Sequence, residues 1–178
     1  GVVGADGRAL GLDVAPADDV LARALALLDG TRPTAINLRW ALDRVRNRVA
    51  LLTPALRADA AWDEADAIRT EDVSINAALG RQGLALLREI ARDRDRPVNV
   101  MTHCNAGALA TCGFGTATAP IFLAHPEGLP VPVWASQTRP PRQGANLTPW
   151  EVARHGLPHN PTVARATGPW ALRAAVAV

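Results

Sequence analysis

Apolar residues recur at helical spacing through the first half of the chain, and the period shortens near residue 97. Asp18 or Asp19 can cap a helix running to Leu28, with Gly30 as a left-handed stop. Thr31-Arg32-Pro33-Thr34 reads as a turn, with Thr34 as the N-cap of a helix from Ala35 to Leu52. There Leu38, Trp40, Leu42, Val45, Val49 and Leu52 make a broad apolar face, while Arg39, Arg44, Arg46 and Arg48 lie mostly elsewhere. A third helix, from about Trp62 to Ala91, places Ile68, Ile75, Leu79, Leu86 and Ile90 at helical spacing. Gly80 and Gly83 weaken its middle and predict a bend or break.

The charged run Arg92-Asp93-Arg94-Asp95-Arg96-Pro97 is the best linker in the chain, dividing it into residues 1–96 and 97–178. Val98 to Thr102 then reads as a short, buried strand, followed by His103-Cys104-Asn105-Ala106-Gly107 and a small-residue helix toward Ala124. Pro130 to Ala135 is a second strand, its prolines suggesting an edge or a strand start, and Gly144 to His155 a further helix. Strand, helix, strand, helix is the opening of a parallel α/β sheet. From His159 onward no clear strand is predicted, and Gly168-Pro169 interrupts the segment.

Composition narrows the class. Of 178 residues 48% are hydrophobic and 20% charged, which fits a globular protein rather than a disordered one. No apolar run reaches the roughly 18–20 residues of a membrane helix. Gly1 to Gly11 lacks the basic head and apolar core of a signal peptide, so the expected location is the cytoplasm. All 19 basic residues are Arg and the net charge is only +2. These Arg residues are interspersed with Asp and Glu, so no nucleic-acid partner is expected. Cys104 and Cys112 are too few for a disulfide framework or a four-Cys zinc site, and His125, His155 and His159 lack metal-ligand spacing. Neither a metal nor another cofactor is expected.

The chemistry concentrates at Thr102-His103-Cys104-Asn105-Ala106-Gly107, where a strand ends and a helix is predicted to begin. Ligands of open α/β sheets bind outside the carboxyl ends of the strands. A helix start there offers free amides and a positive field, favourable for a phosphate or a thiolate, so Cys104 could exchange a proton. The plain alternative is a small thiol filling the junction. Gly113-Phe114-Gly115-Thr116 lacks the third glycine of a dinucleotide fingerprint and reads as close helix–sheet packing. Thr138-Arg139-Pro140-Pro141-Arg142-Gln143-Gly144 sets two Arg and an amide before a helix start, a possible anion site or a solvated turn. Arg32, before Pro33, has the same two readings.

Three segments occur together in order: Arg32-Pro33-Thr34-Ala35-Ile36-Asn37-Leu38, Thr102-His103-Cys104-Asn105-Ala106-Gly107-Ala108-Leu109-Ala110-Thr111, and Thr138-Arg139-Pro140 with Gln143-Gly144-Ala145 and Leu147-Thr148. Over about residues 20 to 158 the chain resembles the methylthioribose-1-phosphate isomerase family. That superfamily also holds ribose-1,5-bisphosphate isomerase and the regulatory subunits of the translation factor 2B exchange complex. The resemblance implies an α/β chain: a helical N-terminal region followed by the first half of a Rossmann-like parallel sheet domain, usually dimeric. It implies conversion of an aldose 1-phosphate to a ketose 1-phosphate in methionine salvage. Cys104 would be a catalytic acid/base, and Arg32 and Gln143 would hold the phosphorylated sugar. The family's Arg-Gly-Ala-Pro, Gly-Ala-Asp-Arg and Asn-Lys segments are not found, and Gln137 stands where a Glu precedes Thr-Arg-Pro. The likeness is expected to end at His159, as in a truncated member. The missing Asp and Lys leave open a non-catalytic regulatory protein that binds a sugar phosphate or nucleotide.

Overall fold

The computed structural model describes residues 18–32, 36–92, 94–136, 146–162 and 176–177. The chain divides into two compact units, Gly1–Glu71 and Asp72–Val178, with the boundary inside one long helix.

The first unit contains α1 (Asp18–Thr31), α2 (Ile36–Val49) and the opening of α3 (Pro54–Arg92). α1 continues through Gly30 instead of stopping there, since that glycine is helical and Thr31 closes the end with its hydroxyl on the Leu28 carbonyl. The proposed cap Thr34 lies outside the described residues. Leu21, Ala41, Val45, Val49, Ala61, Ala65 and Ile68 form the core. Trp40, predicted to be part of it, is 48% exposed and lies beneath the Arg44 guanidinium, 5.4 Å from its centre. Arg44 also bridges α2 to Glu64 and Glu71 of α3. The guanidinium holds the Glu71 carboxyl below its ordinary value through that hydrogen bond.

The second unit takes the rest of α3, then β1 (Val100–His103), α4 (Ala119–Ala124), a 3-10 turn (His125–Glu127), β2 (Val133–Ser136), α5 (Thr148–Arg154), β3 (His159–Thr162) and β4 (Val176–Ala177). α3 is not broken at its glycines. A Cβ at Gly83 would fall 2.4 Å from Pro120 Cγ, and one at Gly80 2.8 Å from Leu123 Cδ1. The glycines are the flat surface on which α4 lies. Of the apolar residues predicted at helical spacing, Ile68 is buried and Ile90 packs against the core, but Ile75, Leu79 and Leu86 are exposed, while Asn76, Leu84 and Leu87 on the glycine face are buried.

The four strands run parallel in the order β3-β2-β1-β4. Val100, Met101 and Thr102 are all buried, as are Val133, Ala135 and Ser136, so both faces of the central strands are covered, as parallel sheets require. Two strands were not legible in the sequence. β3 contains His, Asn and Pro, poor strand formers, yet it pairs residue for residue with β2. Pro161 is accepted because β3 is an edge among the described strands. β4 has two described residues, too few for a pattern. The order 3-2-1-4 opens the doubly wound topology, and its reversal point lies between β1 and β4. A cavity of about 360 Å³ at the other end of the sheet, lined by Arg94, Pro97, Val98 and Pro130, lies ahead of β1 and β2.

The two glycine environments separate propensity from packing. A Cβ at Gly30 meets nothing within 4 Å, so Gly30→Ala is expected to stabilise the chain by about 0.5–1 kcal/mol. Gly83→Ala is expected to cost about 1–3 kcal/mol despite the same propensity gain, because Pro120 is in the way. Urea titrations of the two variants check the pair.

The depressed Glu71 carboxyl contributes stability above its unfolded-state value and loses it as the pH falls through the folded one. Below the ordinary value of 4.5, the wild-type melting temperature should therefore drop more steeply than that of Glu71→Gln. Parallel curves from circular-dichroism melts would remove this assignment.

Candidate active site

β1 delivers His103 and then Cys104 at its carboxyl end, beside the reversal point of the strand order. The predicted helix does not begin there. From Cys104 to Thr118 the chain runs through turns, and α4 starts only at Ala119. Three residues in the segment, Cys104 (φ 61), Gly113 (φ 76) and Gly115 (φ 81), take left-handed backbone angles incompatible with a helix. Gly115 does not serve helix–sheet packing: its missing Cβ would fall 2.4 Å from the Ala106 carbonyl oxygen, so the loop is folded on itself.

Side chains replace the absent helical bonds. Glu151 of α5, only 4% exposed, accepts from the Ala108 amide at 2.8 Å, the Leu109 amide at 3.1 Å and Asn105 Nδ2 at 3.0 Å. Gly107 is required for this approach, because a Cβ there would lie 1.9 Å from Glu151 Oε2. Thr148, also buried, donates its hydroxyl to the Cys104 carbonyl at 2.6 Å and accepts from Asn105 Nδ2 at 3.3 Å. The Cys104 amide donates to the Ser136 carbonyl at 3.1 Å. Farther along, Asp72 and Asn76 of α3 take the amide and the carbonyl of Cys112, at 2.7 and 2.9 Å. The loop is thus fixed to α5 at its start and to α3 at its end.

Cys104 is half-buried, and its backbone is held in place from both sides. The expected anion field of a helix start is not what surrounds it, since the Ala108 and Leu109 amides are already given to Glu151. His103 is exposed, with Nδ1 3.3 Å from the Ser136 hydroxyl. The Thr102 hydroxyl is buried without a hydrogen-bond partner among the described residues. Arg32 is exposed after α1 in the first unit. Gln143, with Arg139 and Arg142, lies outside the described residues. In sequence that stretch joins Ser136 to Thr148, the two residues that hold the Cys104 backbone. Among the described residues no group of three His, Cys, Asp or Glu could hold a metal ion, and no helix is long and apolar enough to cross a membrane.

Glu151 and Thr148 were missed as site residues, although Thr148-Pro149-Trp150-Glu151 has the spacing of a capping box. Such a pair normally caps its own helix. Here α5 has no side-chain cap, and both side chains turn to the Cys104 loop.

The model of the initiation factor 2 subunit family matches residues 9–168. The chain belongs to this family. The match passes the point, His159, at which the likeness was expected to stop. A methylthioribose-1-phosphate isomerase of Rhodospirillum rubrum is 47% identical over 174 residues, covering 94% of this chain and 44% of the relative. The solved 5-methylthioribose 1-phosphate isomerase of Pyrococcus horikoshii OT3 superposes with a TM-score of 0.79 at 30% identity, over 98% of this chain and 49% of the other. The delta subunit of translation initiation factor eIF-2B from A. fulgidus gives a TM-score of 0.76, also at 30% identity, over 97% and 51%. The chain spans about half the length of the relatives it matches.

The left-handed backbone of Cys104 separates strain from chemistry. A non-glycine residue there carries about 1–2 kcal/mol of strain, part of which glycine gives back through its larger unfolded-state entropy. Cys104→Gly should therefore be about 1 kcal/mol more stable than Cys104→Ala, although both lack the thiol. Equal denaturation midpoints would show that the backbone is not strained at this position.

Proposed function

We propose that the chain carries the isomerase chemistry of methionine salvage, converting S-methyl-5-thioribose 1-phosphate from the aldose to the ketose 1-phosphate. Isomerisation moves a hydrogen between C1 and C2 and leaves the skeleton and phosphate intact, so a residue that can take and return a proton is needed. Cys104 has that role in this reading, with Arg32 and Gln143 holding the sugar phosphate. Arg suits bidentate recognition of phosphate. The observation that carries the proposal is the half-buried thiol at the carboxyl end of β1, beside the strand-order reversal, in a chain whose relatives bear this enzyme's name. The reading takes the protein as a cytoplasmic homodimer with a small-molecule substrate, working without a nucleic-acid or membrane partner.

A second reading is a non-catalytic member that binds a sugar phosphate or nucleotide in a regulatory assembly. The likeness to the A. fulgidus subunit favours it.

Incubation of the purified protein with methylthioribose 1-phosphate separates the two. Expected is turnover that falls about 10²–10⁴-fold in Cys104→Ser and stays within about twofold in Cys112→Ser. Absence of turnover by the wild type, with thermal stabilisation by nucleotides alone, would replace the isomerase reading by the regulatory one.

A further inference from the structure

α5 lies against the Cys104 loop through two side chains that would ordinarily serve the helix itself. A Thr at the first position and a Glu three residues later satisfy amides of their own first turn when they form a capping box. Thr148 and Glu151 instead satisfy groups 40 or more residues away in the chain: the Cys104 carbonyl, the Asn105 amide and the Ala108 and Leu109 backbone N–H groups. Both are nearly inaccessible to solvent, at 1% and 4%. A buried carboxylate that accepts three N–H donors from one loop is a strong and directional tie, because charge-assisted hydrogen bonds in a low dielectric exceed neutral ones. The loop it ties down opens with Cys104, the one described non-glycine residue with a positive φ, whose carbonyl Thr148 holds.

We propose that Thr148 and Glu151 are positioning residues which hold Cys104 in its left-handed conformation and so set the exposure and direction of its thiol. This rests on the reading of Cys104 as the proton-transferring group, but concerns how that group is held. Thr148 fixes the Cys104 carbonyl, while Glu151 fixes the turn directly after it. Gly107 lets the carboxylate approach the backbone. With the clamp released, the loop reaches less strained backbone angles, and the sulfur becomes more mobile and more accessible.

The test uses thiol alkylation, which does not depend on turnover. In the full chain carrying Cys112→Ser, Cys104 is the only thiol, and its rate with iodoacetamide is measured well below the melting temperature. Glu151→Gln replaces one acceptor oxygen by an NH₂ that faces the loop amides and should speed alkylation about tenfold or more. Thr148→Val, a milder change, should act in the same direction and keeps the test valid if the Gln variant does not fold. In the reciprocal Cys104→Ser background the rate of Cys112, whose backbone is held by Asp72 and Asn76, should not change. Where the protein turns over methylthioribose 1-phosphate, Glu151→Gln should lower kcat about 10²-fold with KM altered less than about threefold. Folded variants with an unchanged Cys104 rate would overturn the proposal, as would equal acceleration of both thiols. A wild type without turnover, but with selective acceleration at Cys104, would sink the isomerase reading and leave the clamp standing.

Discussion

A strand of a parallel sheet must give up its chain at the carboxyl end, where the next backbone amides have no ladder to join. A helix that starts at once pairs each later amide with the carbonyl four residues before it and leaves its own first four amides free. In this protein the helix is postponed to Ala119, and one buried carboxylate, Glu151, takes the Ala108 and Leu109 amides instead. A partly exposed carboxylate, Asp72, takes the Cys112 amide. Each of these ties is charge-assisted and so stronger than a neutral hydrogen bond. The irregular loop is thus anchored by an acceptor that α5 brings to its start and one that α3 brings to its end. The glycine face of α3, which lets α4 lie close, belongs to the same solution.

This constraint explains why the fold was easier to read than the site. The helices and the two central strands follow from local periodicity, and the parallel α/β class follows from their order. Periodicity failed where packing uses small residues. The buried face of the middle of α3 runs through Asn76, Gly80 and Gly83, and Ile75, Leu79 and Leu86 point the other way. It failed again at β3, where His159-Asn160-Pro161-Thr162 has no strand character of its own and is a strand only because β2 pairs with it. In each case a tertiary neighbour overrode the local signal.

The site was legible as a place rather than as an environment. Cys104 does sit at the carboxyl end of a strand, and the family resemblance extends over most of the chain. Its surroundings were misread, because the expected helix start would have offered free amides, whereas the loop has given them to side chains contributed from more than 40 residues away. No spacing in the sequence announces a carboxylate from α5. The capping-box pattern of Thr148 and Glu151 was visible, but its ordinary meaning is local. Only the geometry shows that the pair serves another segment.

Two solved relatives that superpose on this chain at equal identity are a 5-methylthioribose 1-phosphate isomerase and a translation initiation factor subunit. A fold that hosts both must keep its scaffold separable from its chemistry. The ties described here are largely of that separable kind. Glu151 holds backbone amides, Thr148 a backbone carbonyl and Asp72 another amide, and none of these bonds depends on the identity of the side chain at 104. A residue at that position can be exchanged while the loop keeps its shape, provided the replacement tolerates a left-handed backbone. In the proposed reading, the thiol is the part that adds chemistry to a loop held by these ties. The proposed role of the thiol accounts for strain being retained at this residue, where glycine would relieve it.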